Sequence, residues 1–177
     1  MKNQAPIKRH PALVSFSKDH HFGLLLVWKI RQGLDKAVNT ERISNYVLYF
    51  FEQDLEKHFK QEEQLLYSEL QNDDLLKKEA ESDHEAIINL VAAIRKRKND
   101  STLLNQLADE LERHIRFEER ELFIHLQNKI KANDLERIAK RFPDSGKALD
   151  EEWKDDVREI QKISTWKFRR NMAIKKE

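Results

Sequence analysis

Leu55-Glu56-Lys57-His58-Phe59-Lys60-Gln61-Glu62-Glu63-Gln64-Leu65-Leu66-Tyr67 decides the fold, because the chain writes it again as Leu111-Glu112-Arg113-His114-Ile115-Arg116-Phe117-Glu118-Glu119-Arg120-Glu121-Leu122-Phe123. The copies agree at the leading Leu-Glu, the His, the Glu doublet, a Leu and a ring, and Leu70 answers Leu126. Residues three, four and seven apart share one face of an α-helix. Leu55, His58, Glu62 and Leu66 therefore lie on one face, as do their counterparts. Upstream of each copy stands a second repeated pattern: Asp19-His20, Leu26-Val27 and Ile30-Arg31 recur as Asp83-His84, Leu90-Val91 and Ile94-Arg95 with the same internal spacing. The chain thus reads as a duplicated helical hairpin, each half carrying one lone His and one His-x-x-x-Glu pair.

Working outward, the remaining sequence supports helices throughout. No Pro falls between Pro11 and Pro143, and the stretch is rich in Leu, Glu, Lys, Gln and Ala, which suits long helices. Residues 1–14 read as an N-terminal arm broken by Pro6 and Pro11, with the first helix capped by Ser15 or Ser17 and running to about Val38. Asn39-Thr40, Asn72-Asp73-Asp74 and Asn99-Asp100-Ser101 are turn-and-cap signals, and Asn133-Asp134 closes the fourth helix. The expected architecture is all-α: an up-down-up-down four-helix bundle over 15–131, followed by a helical extension over 132–177. The extension contains a short amphipathic segment, Leu135 to Phe142. Beyond it, Leu149, Trp153, Val157, Ile160 and Ile163 recur at helical spacing, with an acidic front and a basic back. That charge order complements a helix dipole and suits antiparallel pairing with a second copy, so a homodimer through this segment is one expectation.

Composition removes several function classes. There is no Cys, which excludes disulfides, thiolate nucleophiles and Cys-ligated zinc or iron–sulfur clusters. The net charge is +1, so no global field points to nucleic acid. The charged residues, 37% of the chain with both signs mixed, are the solvated faces of amphipathic helices. Met1 to His10 has no apolar core like that of a secretory signal. The apolar run Phe22 to Trp28 is too short to span a bilayer. A cytoplasmic protein without a transmembrane segment is expected. No phosphate loop or Ser–His–Asp arrangement stands out.

The chemistry lies in the repeated polar positions. A Glu carboxylate can bridge two cations, and a neutral imidazole nitrogen suits iron, zinc, copper or nickel. Duplication explains the matched apolar positions as core. It does not explain keeping His and Glu on the same face as Leu55, Leu66 and Leu111, where uncompensated burial costs several kcal/mol. Bound metal is the simplest compensation, with His20, His58, Glu62, His84, His114 and Glu118 as ligands. The repeat also chooses between neighbours: His20 aligns with His84, whereas His21 aligns with Glu85 and points about 100° away. Glu63 and Glu119 point away from the bridging pair by the same angle, so salt bridges or solvent are their expected roles. Gly23, one turn after His20, leaves space beside a metal or allows close helix packing.

On Asp19-His20, His58-Phe59-Lys60-Gln61-Glu62-Glu63, Asp83-His84 and His114-Ile115-Arg116-Phe117-Glu118-Glu119 the chain resembles the hemerythrin-like family, the HHE cation-binding domain, over roughly residues 15–130. The resemblance implies a four-helix bundle with two non-haem iron ions joined by an oxo or hydroxo bridge, two bridging Glu and four capping His. It also implies a small ligand: family members bind dioxygen, respond to iron or oxygen, or handle nitric oxide or peroxide. The chain departs from the oxygen carriers of that family, which have a further His one turn after the third-helix ligand. Here that residue is Ile88, and Glu118 stands where they have a bridging Asp. These departures leave each iron an open or water-filled position unless His10, His21 or a carboxylate fills it. They shift the reading from pure carriage toward sensing or peroxide and nitric oxide chemistry. Manganese and zinc also fit the donor set. The competing classes are a di-iron oxidase or peroxidase and an iron-handling or iron-donor protein. A ferritin-like oxidiser is disfavoured, because Glu-x-x-His occurs once, at Glu81-Ser82-Asp83-His84.

Overall fold

The computed structural model describes residues 9–141, and these are helical with no strand among them. Helix α1 (Pro11–Asp35) leads through a short turn to α2 (Thr40–Phe50). A π-helical turn (Phe51–Leu55) joins α2 to α3 (Glu56–Leu65), and a 3₁₀ turn (Tyr67–Glu69) follows. Then come α4 (Leu75–Lys96) and α5 (Ser101–Phe117). A second π turn (Glu118–Leu122) runs into α6 (Phe123–Lys129), and α7 (Ala132–Arg141) ends the described region. The helices pack as a bundle in which α1 meets α5, α2 and α7, and α4 meets α5 and α2. The apolar stripe at 147–177 and the homodimer expected from it lie outside the described residues, as do residues 1–8 of the arm. Among the described residues no helix is long and apolar enough to cross a membrane.

The caps at Asn39, Asp74 and Asp100 sit where the sequence signals put them, each side chain accepting from backbone N–H groups of the following turn. The first helix differs. It starts at Pro11, not at Ser15 or Ser17, and its cap is His10, whose Nδ1 accepts from the Ala12 N–H at 3.1 Å. Pro11 is not a breaker here. At the first helical position its missing N–H costs nothing and its fixed φ is already helical. Leu13 and Phe16 become fully buried as a result, so Ala12 and Leu13 of the expected arm are core. Helix α7 is also part of the packing: Leu135 and Ile138 join Leu13, Phe16, Leu66, Tyr67, Phe123 and Leu126 in one apolar cluster. Phe50, Phe51 and Phe117 are buried, whereas Trp28 is partly exposed.

Asp74 does two jobs. It caps α4 through the Leu76 and Lys77 N–H groups, and its Oδ2 lies 2.7 Å from Nε2 of His125. Burial alone would raise its carboxyl, but the bond with His125 and the backbone N–H of Lys77 outweigh it and hold it below its ordinary value. Such a group stabilises the fold above the unfolded-chain value and loses that contribution as pH falls through the lower folded value. Asp74→Ala is therefore expected to cost about 1 kcal/mol at pH 7. The deficit should shrink in strong acid, as read by urea unfolding at both pH values. An equal deficit at both would show that the carboxylate charge plays no part.

Candidate metal centre

Along each long helical segment a polar layer interrupts the apolar stripe. On α1 His20 stands between buried Phe16 and Leu26, and on α4 His84 stands between Ala80 and Ile87. On α3 His58 and Glu62 lie between Leu55 and Leu65, and on α5 His114 follows Leu111, with Glu118 opening the π turn behind it. The structure brings all six residues into one cluster, each no more than 4% exposed. From Glu62, Oε1 lies 3.1 Å from His58 Nε2 and 3.4 Å from His20 Nε2, and Oε2 lies 3.4 Å from His84 Nε2. From Glu118, Oε2 lies 2.9 Å from His20 Nε2 and 3.3 Å from His114 Nε2. Every imidazole thus turns Nε2 to the carboxylates at the centre.

The opposite ring nitrogens face a second ring of carboxylates. His20 Nδ1 is hydrogen-bonded to Glu119 Oε1 at 2.8 Å, and His84 Nδ1 to Glu63 Oε1 at 2.8 Å. His58 Nδ1 stands 3.5 Å from Asp19 Oδ2, and His114 Nδ1 stands 3.4 Å from Asp83 Oδ2. Each lone His is therefore supported by the other half of the repeat, and each His of a His-x-x-x-Glu pair by its own half. The surroundings of these carboxylates differ. Arg9 donates to Glu119 at both Oε2 (2.5 Å) and the main-chain carbonyl (2.7 Å), and Arg113 donates to Asp83 at 2.5 Å. Burial would raise the Glu119 carboxyl, but hydrogen bonding to His20 and the neighbouring charges hold it at about 2. Asp83 is likewise held low by His114 and Arg113 against the pull of burial.

Glu119 and Glu63 form ion pairs, as the sequence leads one to expect, with imidazoles of the cluster and, for Glu119, with Arg9; no role for Asp19 and Asp83 follows from the sequence reasoning above. The signal was present, since the Asp-His and Glu-Glu doublets are themselves repeated. A carboxylate hydrogen-bonded to the outer nitrogen of a His fixes its tautomer and orientation; Glu119 and Glu63 do this for His20 and His84, and Asp19 and Asp83 stand beside the outer nitrogens of His58 and His114.

The donor atoms themselves test whether a cation fits. All four Nε2 atoms, both oxygens of Glu62 and Oε2 of Glu118 are buried and make no hydrogen bond of proper geometry. Converging, buried and unsatisfied polar atoms are costly unless something completes them. The atoms that Glu62, His84, His114 and Glu118 offer lie within 4.8 Å of one another, and so do those of His20, His58 and Glu62. The electrostatics agree. Burial alone would lower the His58 and His84 rings, yet the carboxylates around them raise each to about 9. His20 is raised too, by Glu118, Glu119 and Glu62 against burial. Burial would raise Glu62, and the surrounding imidazoles hold it well below its ordinary value. The cluster draws in positive charge, as protons or as a metal that displaces them.

Other residues fall outside it. His10 caps α1, His21 is exposed beside Phe22, and His125 pairs with Asp74, so none joins the cluster. Ile88 is exposed, so the place of a further His on α4 points away from the cluster. A cavity of about 10 Å³ adjoins the cluster, lined in part by His20, Gly23, Asp54 and His58. That is room for about one water-sized guest. Gly23 allows close packing, since a Cβ there would meet Ile115 Cδ1 at 2.8 Å, and it also borders this cavity.

Residues 18–126 match the family described as the Hemerythrin HHE cation binding domain, and the chain belongs to that family. No curated protein and no solved structure matches it.

Proposed function

We propose that this member of the hemerythrin HHE family is a non-haem di-iron protein that binds or senses dioxygen or a related small ligand, nitric oxide or peroxide. The observation that carries the reading is the set of buried, unsatisfied nitrogens and oxygens converging from two repeated halves. His20 and His58 serve one ion and His84 and His114 the other, with Glu62 between them and Glu118 at their side. The four long helical segments take the up-down-up-down order expected of the duplicated hairpin. When bound, iron supplies a redox couple and coordination positions open to a small ligand.

The chain's own residues do the rest. Glu119, Glu63, Asp19 and Asp83 orient the four imidazoles with Nε2 inward. Phe59 stacks on His84 at 3.9 Å and Phe123 on His20 at 5.3 Å, which keeps bulk water from the rings. The cavity between Gly23 and His58 has room for about one water-sized guest, which restricts what reaches the centre to small molecules. One observation favours a second reading, turnover of peroxide: Asp54 borders that cavity, and its carboxyl is raised by burial and by the charge of Asp19, which suits a proton donor.

Metal analysis of the isolated protein, with its visible and near-ultraviolet spectrum before and after reduction and exposure to air, tests this. Two irons per chain with bands that return reversibly in air support binding or sensing. Irreversible oxidation or turnover of added peroxide supports the second reading. Manganese or zinc in place of iron, or unchanged iron content in a His58→Ala/His114→Ala double variant, would sink the di-iron reading.

A further inference from the structure

We propose that Tyr67 is a positioning residue of the metal centre, its hydroxyl holding Oε1 of Glu118 so that Glu118 offers cations one oxygen while Glu62 offers two. The proposal rests on the metal-centre reading above.

It begins from a broken symmetry. Tyr67 and Phe123 hold matching places in the two copies of the repeat. Each lays its ring along the lone His of the other half, Tyr67 at 5.7 Å and 29° from His84, Phe123 at 5.3 Å and 18° from His20. There the likeness ends. Phe123 has no hydroxyl, and its face is covered by the Arg9 guanidinium at 5.1 Å. Tyr67 is fully buried and donates its hydroxyl to Glu118 Oε1.

The backbone differs at the same two places. After Glu62 the helix ends at Leu65 and Tyr67 opens a 3₁₀ turn, whereas Glu118 opens a π turn that carries the chain on into α6. The two aromatic residues therefore leave unlike backbones, and one of them reaches across to the other half's carboxylate.

The consequence falls on the two Glu. Both oxygens of Glu62 are buried without a hydrogen bond, one turned to His20 and His58 and the other to His84. Of Glu118 only Oε2 is in that condition, turned to His20 and His114. Glu62 belongs to both groups of donor atoms, and Glu118 to the group with His84 and His114 alone. The phenol O–H occupies one of the two lone pairs of Oε1 and draws on its charge, which makes Oε1 a weaker donor to a cation than the unengaged Oε2. Tyr67 thus makes the two carboxylates unequal and keeps one position at the centre for water or a small ligand.

Tyr67→Phe makes the two halves alike at this place and removes one oxygen atom from the core. The full-length chain, stripped with a chelator, is titrated with cobalt(II), and the visible bands are recorded, since their intensity falls as a cobalt gains ligands. Release of Glu118 Oε1 is expected to tighten the second equivalent about tenfold or more, the factor that a hydroxyl–carboxylate bond represents, and to weaken the bands. A purely structural Tyr67 would leave the bands as they are. Two cobalt ions bound by both proteins with equal affinity and equal bands overturns the proposal, as does weaker binding by the variant. An intense visible band of the ferric wild type that vanishes in the variant also overturns it, by making the phenolate a direct ligand. Failure of the wild-type chain to bind cobalt at all removes the metal-centre reading instead.

Discussion

Removal of bound metal with a chelator is expected to lower the Tm of this protein by about 20 °C at pH 7. A ligand that binds only the folded chain adds about 4 kcal/mol when its free concentration is about 1,000 times Kd. The two ions of the proposed centre would double that, and in a chain of this size each kcal/mol shifts Tm by about 2–4 °C. The direction follows from the cluster itself, because six His and Glu side chains are buried together and their inner donor atoms lack hydrogen bonds. Stripped of metal, they keep company only by holding protons. His58 and His84, raised to about 9 by the surrounding carboxylates against burial, bind protons in the folded chain that the unfolded chain has lost. Their contribution is complete below the ordinary histidine value of about 6.5 and disappears as pH rises through about 9. The stripped protein should therefore melt several degrees lower at pH 9 than at pH 6.5. The loaded protein should not follow, since a metal needs the neutral ring. Calorimetry of both forms across this range checks the expectation, and equal Tm with and without chelator would show that the cluster holds no stabilising ion.

The helices and the six clustered residues were legible because both depend on periodicity. His20 was separable from His21 by its alignment with His84, and the structure puts His20 in the cluster and leaves His21 exposed. The caps at Asn39, Asp74 and Asp100 were legible because their side chains serve the next turn of their own segment. What was not legible depends on contacts between segments distant in sequence. Pro11 reads as a breaker until Leu13, Phe16 and α7 are seen to share a core, and then it is the first residue of a helix. The π turns at Phe51–Leu55 and Glu118–Leu122 fall at places that do not correspond in the two copies, so a repeat that predicts equal backbones cannot announce them. Each such turn forgoes regular α hydrogen bonding, and π turns gather at functional sites because they re-aim side chains. Glu119 and Glu63 make the ion pairs expected of them, but that their partners include the clustered imidazoles was not legible, for a related reason. A rotation of about 100° from an inward residue predicts solvent for an isolated helix, but in a bundle it can point at the neighbour's imidazole.

Glu119→Ala is expected to weaken metal binding by about 10–100-fold, the usual cost of losing a carboxylate behind a ligating His. Glu63→Ala, at the matching position of the repeat, should fall at or below the low end of that range. The chemistry removed is the same, since each carboxylate accepts from an imidazole Nδ1 at 2.8 Å. The surroundings decide the difference. Glu63 is 43% exposed at its side chain, against 27% for Glu119. Water can take the place of Glu63 and still accept from His84. Glu119 is clasped by Arg9, whose guanidinium also lies over Phe123, the ring stacked on His20. Its loss strips His20 of an acceptor and Arg9 of its counter-charge, and loosens the ring that packs between them. The damage should fall on the ion proposed at His20 and His58 and spare the one proposed at His84 and His114, giving biphasic release to a competing chelator in Glu119→Ala. Arg9→Ala should show the same uneven release in milder form, because it removes the clasp and leaves the acceptor. Equal losses in Glu119→Ala and Glu63→Ala, with both proteins folded by circular dichroism, would mean that the clasp contributes nothing and that the two halves of the centre act as equals.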